Sequence, residues 1–538
     1  PSKLQRYTSV GKDINIITCG TLLGEGKKLQ KMFENKGVST GVFSVLRVKP
    51  LCNDEIKELA LNSKLVITME EHNVVGGFVS MFSLISGALS HSASRFLTFE
   101  LGRKNIEGVK RYFSTSLLIH IALALTILIV SETIGLWFLN HRMVIPDNRL
   151  SAANWVFHAS VFSFMINLLS VPYNASIISH EKMNVFAYIG IIDTLLRLFI
   201  VLFIAYAPFV FDHLIVYAVL LVLVSCSIQA IYVSYCRKHF EECHLKITFD
   251  TMCWKNMWAF TGWNFIGGTA LVLKDQGVNV LLNLFFGPIV NTARGLSLSV
   301  SNAVCSFSGN FMTALNPQIT KSYAANDNEY MFQLIERGTR FSFYILLIIA
   351  LPVLFETDFI LTLWLKKYPE YTTIFVRLVL IQAMIDLLSN TIVTAQAATG
   401  KIRNYQIAVG GMLLMNFPLS YLCLKLGGTP QYTMFVAIFI SVCCLLIRLI
   451  ILRKNIHLSL IWFFRKICLN VFIVTIFAII IPEICYFTMS QGWPKFLIVT
   501  TLCLSSSIVS VYFLGCSHSE RQFINQRIIN IKSRFLNR

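Results

Sequence analysis

The chain has 538 residues, of which 55% are hydrophobic and 14% charged, with a formal net charge of +18. Globular domains carry about 25% charged residues, so this composition excludes an ordinary soluble protein. A strongly basic soluble chain would suggest nucleic acid. Here the basic residues fall in short loops between apolar blocks, so they read as an orientation signal and no nucleic-acid partner is expected.

Residues Pro1 to Asn15 are polar and basic, with no apolar core, so no signal peptide is expected there. Strands are predicted over 13–19, 38–45 and 65–69, and helices over 22–35 and 54–62. Strands alternating with helices of this length argue a parallel α/β unit, small and with open edges. From Val74 onward, thirteen apolar segments are long enough to cross about 30 Å of hydrocarbon as helices. They span 74–94, 113–138, 155–178, 185–210, 214–236, 256–285, 288–315, 339–365, 372–398, 404–424, 430–452, 464–488 and 494–514. Their short connections predict antiparallel neighbours. The fold class is therefore an all-α polytopic membrane protein preceded by a small α/β fragment.

Loop charge sets the orientation. One set of alternate loops, with the tail beyond 515, holds 24 Lys and Arg residues. They include Arg95, Arg103, Lys182, Arg237, Lys321, Arg337, Arg340, Lys401, Arg453 and Arg521. The other set holds six: Arg142, Arg149, Lys366, Lys367, Lys425 and Lys495. Basic loops stay in the cytoplasm, which places the first set and the tail inside. Most of the 14 cysteines lie in apolar runs, where a thiol behaves as a small hydrophobe. Cys236, His239, Cys243 and His244 come nearest to ligand spacing. They lack the paired Cys-x-x-Cys geometry of a zinc site and read as a wetted loop beside the membrane, so no metal or cofactor is expected.

The runs Asp13–Gly26 (DINIITCGTLLGEG), Gly37–Leu51 (GVSTGVFSVLRVKPL) and Ser63–Gly77 (SKLVITMEEHNVVGG) resemble the C-terminal domain of transketolase-like thiamine diphosphate enzymes. The likeness covers the first half of that domain. In such enzymes the cofactor is held by other domains with a GDG-type motif, and no GDG occurs in this chain. Glu70, Glu71 and His72 offer an acid/base cluster, weighed against the plainer reading that they end a strand.

Val74–Gly102 (VVGGFVSMFSLISGALSHSASRFLTFELG) and Gly287–Ala324 (GPIVNTARGLSLSVSNAVCSFSGNFMTALNPQITKSYA) resemble the polysaccharide-flippase branch of the MOP exporter superfamily. That resemblance implies two six-helix lobes plus two extra helices. On this chain it gives 74–236 as the N-lobe without its first helix, 256–424 as the C-lobe, and 430–514 as the two extra helices. Residues 515–538 become a basic cytoplasmic tail. It also implies a flippase, not an enzyme, for undecaprenyl-diphosphate-linked oligosaccharide in O-antigen or capsule assembly at the bacterial inner membrane, driven by H+ or Na+. The alternatives are a drug/cation exporter of the same superfamily, or a thiamine diphosphate enzyme component working through the N-terminus. Residues 1–73 are expected to be a graft joined at Asn73–Gly77, where both resemblances share a sequence. They replace the family's first helix, and their eleven basic residues have no export signal to carry them outside.

Ionisable residues inside membrane helices are costly and mark functional sites. Arg294, early in 288–315 among Asn291, Ser297, Ser301, Asn302 and Ser308, suits a diphosphate because a guanidinium binds it bidentately. Lys274 and Asp275 lie in 256–285. Asp275, Asn279 and Asn283 recur every four residues as one polar stripe. Lys274, Asn279 and Asn302 are candidate substrate contacts beside Arg294, and Asp275 and Asp386 are candidate sites for the coupling ion. Asp193 and Arg197, four apart, read as a mutually neutralising pair. Arg377 and Asp386, nine apart, do not share a face.

Overall fold

The structure, a computed structural model, describes residues 5–6, 14–19, 27, 30, 31, 34, 39–45, 65–69, 83–141, 147–206, 212–244 and 249–536. By internal contacts the chain divides into two compact units. One is Pro1–Phe78 with Asn279–Thr292; the other is Val79–Val278 with Ala293–Arg538.

The first unit carries a four-stranded sheet of β1 (Gln5–Arg6), β2 (Ile14–Cys19), β3 (Thr40–Val45) and β4 (Leu65–Met69), in the order β1-β3-β2-β4. β2 is central and pairs parallel with β3, Ile14 opposite Thr40, and with β4, Ile14 opposite Leu65. The three predicted strands are present. The short β1, which the sequence reading missed, covers the β3 edge in antiparallel fashion. Val42 and Phe43 are fully buried on β3. Residues 27, 30, 31 and 34 are helical within the predicted 22–35 segment, and Gln30 Nε2 donates to the Thr40 carbonyl at 3.1 Å. The predicted helix 54–62 and Glu70 to His72 lie outside the described residues.

The thirteen predicted apolar segments are helical where described, except for breaks at Glu356, Leu388–Ser389 and Met415. In chain order the helices are α1 (Ser83–Gly102), α2 (Ile106–His141), α3 (Asp147–Ser179), α4 (Met183–Tyr206) and α5 (His213–His239). They continue with α6 (Thr251–Phe286), α7 (Pro288–Ala324), α8 (Asn328–Phe355), α9 (Thr357–Leu365) and α10 (Thr372–Ala398). The last are α11 (Arg403–Lys425), α12 (Tyr432–Ile456), α13 (Leu460–Thr488), α14 (Trp493–Gly515) and α15 (His518–Leu536). Among the described residues, ten helices are long and apolar enough to cross a membrane. α1, α6 and α7 are not among these ten; each carries polar and charged residues along its length. α4 shows why the surroundings must be hydrocarbon: Tyr188, Leu195, Leu198 and Phe199 are each more than half exposed along it. Asp193 and Arg197 pair at 2.9 Å on the same helix, as expected.

Local signals set the ends. Asp212, Asp250 and Asp327 accept backbone amides at the starts of α5, α6 and α8. α8 begins well before the predicted 339: Met331, Leu334 and Ile335 recur at helical spacing among the polar residues of its first turns and are buried, a short signal that the apolar-span reading passed over. Arg337 and Arg340, read as loop residues, therefore lie on a helix. One buried core joins α1–α5 to the start of α6 around Phe96, Phe113, Tyr173 and Phe260. A second joins α8, α10, α13 and α14 around Tyr344, Leu347, Val376 and Val474.

Candidate functional site

Two interrupted helices make the site. α10 breaks at Leu388 and Ser389, whose amides bond only three residues back, to Ile385 and Asp386. Asp386 therefore ends one half-helix and Asn390 starts the next. α11 breaks at Met415, so Asn416 opens its second half. Pro418 follows, and its ring leaves the carbonyl four residues earlier without a partner amide. Breaks of this kind at membrane depth are tolerated where they line a cavity.

A cavity of about 330 Å³ lies against both breaks. Its polar wall is Lys274 and Asp275 from α6, Arg294, Ser301 and Asn302 from α7, Gln382, Asp386 and Asn390 from α10, Asn416 from α11 and Thr433 from α12. Five of the six predicted site residues are brought together: Arg294, Lys274, Asn302, Asp275 and Asp386. Asn279 is not among the lining residues. It sits one turn beyond Asp275 on α6, so the predicted stripe leaves the cavity there. Arg377 is also elsewhere, donating to the Leu354 carbonyl at 3.1 Å and pairing with Asp358 at 3.5 Å.

Arg294 is 4% exposed. Its Nη1 donates to the Asp275 backbone carbonyl at 3.1 Å and its Nη2 lies 3.5 Å from the Asp275 carboxylate. The guanidinium is thus held on one side by α6 while it still lines the cavity. Lys274 is 6% exposed and makes no hydrogen bond or ion pair among the described residues. A buried ammonium is costly without a partner, and this one lines the cavity. Gln382 Nε2 donates to Asp386 at 3.4 Å. Asn416 is fully buried; its Oδ1 takes the Ser420 hydroxyl at 3.1 Å while its Nδ2 has no partner. The sequence reading missed Asn416, although a polar residue two before Pro418 in an apolar segment was the available signal. With two basic and two acidic side chains, the cavity is charge-balanced and not simply cationic.

Away from the cavity, the charge-rich ends of the helices meet. Lys321, late in α7, lies 2.6 Å from Glu181, which follows α3, and Gln318 donates to the same carboxylate at 3.3 Å. Arg95 of α1 donates to the carbonyls of Ala397 and Ala398 at 3.3 and 2.9 Å, with Phe96 and Phe99 under its guanidinium. The segment at Cys236–His244 is wetted at His239 and His244 but anchored between them. Cys236, Glu242 and Cys243 are buried, and Glu242 accepts from His180 at 2.8 Å and Ser176 at 3.2 Å. Burial works to raise the Glu242 carboxyl. The His180 hydrogen bond, a backbone amide and Ser176 together outweigh it and hold the group below the ordinary carboxylate range. Among the described residues no cluster of three or more His, Cys, Asp or Glu side chains could hold a metal ion.

Comparison with known proteins gives different relatives for the N-terminal and the helical parts of the chain. Residues 3–99 match the transketolase C-terminal domain family, a stretch that ends inside α1. Over 75 residues the chain is 35% identical to 1-deoxy-D-xylulose-5-phosphate synthase from Chlamydia pneumoniae, covering 14% of this chain and 12% of that enzyme. Over 70 residues it is 31% identical to the synthase from Heliobacterium modesticaldum, covering 13% and 11%. The chain thus spans about a tenth of the length of these relatives. The helical region has the fold of MOP-superfamily transporters. An outward-facing multidrug resistance MATE family transporter aligns with a TM-score of 0.62 at 11% identity, covering 81% of this chain and 94% of the other. A MOP superfamily transporter from Pyrococcus furiosus, described for the reverse polarity of its binding pocket, aligns at 0.59 and 12% identity over 71% and 86%. The MATE transporter ClbM in complex with Rb+ aligns at 0.58 and 13% identity over 73% and 92%.

Proposed function

We propose that this multi-pass membrane protein is a flippase for an undecaprenyl-diphosphate-linked oligosaccharide, working at the bacterial inner membrane in surface polysaccharide assembly. The observation that carries the reading is the pair Arg294 and Lys274, both buried and both lining one cavity between interrupted helices. A membrane helix retains such charges where they meet a charged ligand. The diphosphate would sit between the guanidinium, which forks onto two oxygens, and the Lys274 ammonium. The free Nδ2 of Asn416 would donate to a third oxygen. Asp386, with the exposed side of Asp275, would hold the coupling cation. A flippase breaks no bond, so the residues need only bind, shelter and release.

The test is complementation of a flippase-deficient strain. Arg294→Ala should abolish it while the protein still reaches the membrane. Arg294→Lys should keep part of it, because the charge remains and the fork is lost. Full activity of the Ala variant removes Arg294 from the site.

The two carboxylates favour a second reading, a drug/cation exporter with Asp386 as the cation anchor. In that case Asp386→Asn would abolish drug resistance and Arg294→Ala would leave it intact. Residues 1–73 would be a graft without chemistry of its own. Replacing them with a flippase-type first helix should restore or raise transport, whereas thiamine diphosphate binding by the purified chain would overturn that part of the reading.

A further inference from the structure

Helix α15 begins three residues after the last membrane-crossing helix ends at Gly515, so it starts at the face of the bilayer. Its first turn is fixed. Ser517 and Glu520 form a capping box, with the Ser517 amide on the Glu520 carboxylate at 2.7 Å and the Glu520 amide on the Ser517 hydroxyl at 3.4 Å. The same carboxylate, only 9% exposed, takes Arg340 of α8 at 2.8 Å, and Arg340 also bonds the Gly515 carbonyl at 3.2 Å. A Cβ on Gly515 would come within 2.9 Å of the Tyr344 ring, so the turn is seated tightly on α8. Past that turn the Tyr512 hydroxyl of α14 donates to Asn525 Oδ1 at 2.9 Å, and Phe523 and Ile529, on the sides of the helix, are more than half exposed.

The sequence of this 19-residue helix is patterned all the same. Positions 524, 528, 531 and 535 (Ile, Ile, Ile, Phe) fall on one face at helical spacing. At 100° per residue, Arg527 and Arg534 fall on one flank of that stripe and Arg521 and Lys532 on the other. The helix's one carboxylate is already matched by Arg340, so the flanks are purely cationic. An apolar stripe between two basic flanks suits a helix lying in the plane of a membrane, with stems along the acyl boundary and charges at the phosphates. A neutral surface would satisfy the stripe and leave the flanks without a counter-charge.

We infer that α15 is an interfacial helix that binds the anionic phospholipid surface on the side where the basic loops lie, tethered there by the Glu520–Arg340 contact.

Hydrogen exchange of the 518–536 segment, read by mass spectrometry on the full chain in lipid nanodiscs, tests this. Exchange should be at least about tenfold slower in discs containing phosphatidylglycerol than in pure phosphatidylcholine, and 0.5 M salt should remove most of the difference. Each basic side chain near an anionic surface is worth about fivefold in association. The triple variant Arg527→Gln, Lys532→Gln, Arg534→Gln should therefore lose about a hundredfold and exchange as it does in neutral discs. Ile528→Ser with Ile531→Ser should lose protection in either lipid. Equal protection of the unmodified chain in neutral and anionic discs would overturn the inference, as would undiminished protection in the triple variant. Either result would point to a protein surface as the cover.

Discussion

Lys274→Met is the substitution that separates binding from structure, because it should act on the two in opposite directions. Lys274 is 6% exposed and unpaired among the described residues, on a wall shared with Arg294, Asn302 and Asp386. A fully dry, uncompensated ammonium costs several kcal/mol. The cavity keeps one side of this one open, so the smaller range for an unsatisfied buried polar group applies, about 1–3 kcal/mol. Methionine has a similar length and no charge to desolvate, and Val278 and Leu298 nearby offer it apolar contact. The variant should therefore unfold at a higher temperature in detergent than the parent by an amount equivalent to about 1–3 kcal/mol. It should also fail in the complementation assay at normal membrane abundance. Lys274→Arg should restore transport in part. If the Met variant were less stable and fully active, Lys274 would be a structural cation with a partner in the resting state, and the diphosphate reading would lose half its support.

Cysteine labelling from outside should reach substitutions at 366–370 and miss those at 103–110; the reverse pattern would end the orientation argument. Glu242, held below the ordinary carboxylate range, stabilises the fold fully above about pH 4.3, its unfolded value, and that contribution is lost as pH falls through the lower folded value. Glu242→Gln should cost about 1–3 kcal/mol near neutral pH, as expected for a buried charge-assisted hydrogen bond, and flatten the acid limb of a thermal-stability profile; an unchanged limb would assign the acid sensitivity elsewhere. At the charge-rich end, Glu181→Lys should impair transport and Lys321→Glu in the same chain should rescue it. Failure of the rescue with both proteins in the membrane would show that the 2.6 Å contact does not control the cycle.

The spans were legible because hydrocarbon thickness imposes a length and an apolarity that any helix crossing it must meet. The same rule marked most of the site, because ionisable residues inside such spans stand out. α1, α6 and α7 are the least apolar of the predicted segments, and α6 and α7 line the cavity. The break in α10 falls at Leu388–Ser389, where neither Gly nor Pro marks it, so only tertiary packing could set it. The break in α11 had Pro418 as a signal, and Asn416 should have been read from it. Asn279 went the other way. A four-residue stripe fixes which residues share a face, but not how far along the helix that face stays open, and the cavity ends near Val278. Arg337 and Arg340 were counted as loop charges because the spaced apolar residues Met331, Leu334 and Ile335 are too few among charges to read as a membrane span. One of them instead anchors α15 through a buried carboxylate.

The position of the cavity along its helices and the position of the closing contacts belong to one state. Arg294 to Cys305 lie in the first half of α7, Thr433 to Ala437 at the start of α12, and Val379 to Asn390 in the middle of α10. Those three helices begin on the charge-poor side and end on the charge-rich side. On the orientation expected from loop charge, the cavity occupies the outer half of the membrane. Glu181 with Lys321, and Arg95 with the Ala397 and Ala398 carbonyls, join helices far apart in sequence at the opposite, inner end. The Ala397 carbonyl already takes the Gly400 amide at 3.0 Å, so the Arg95 contact there adds a second donor, while at Ala398 it supplies a partner to a carbonyl of the last turn of α10. On the proposed function, a chain closed inside with its buried charges toward the outside is arranged as a transporter is after delivery, and loading from the inside requires the Glu181–Lys321 contact to part.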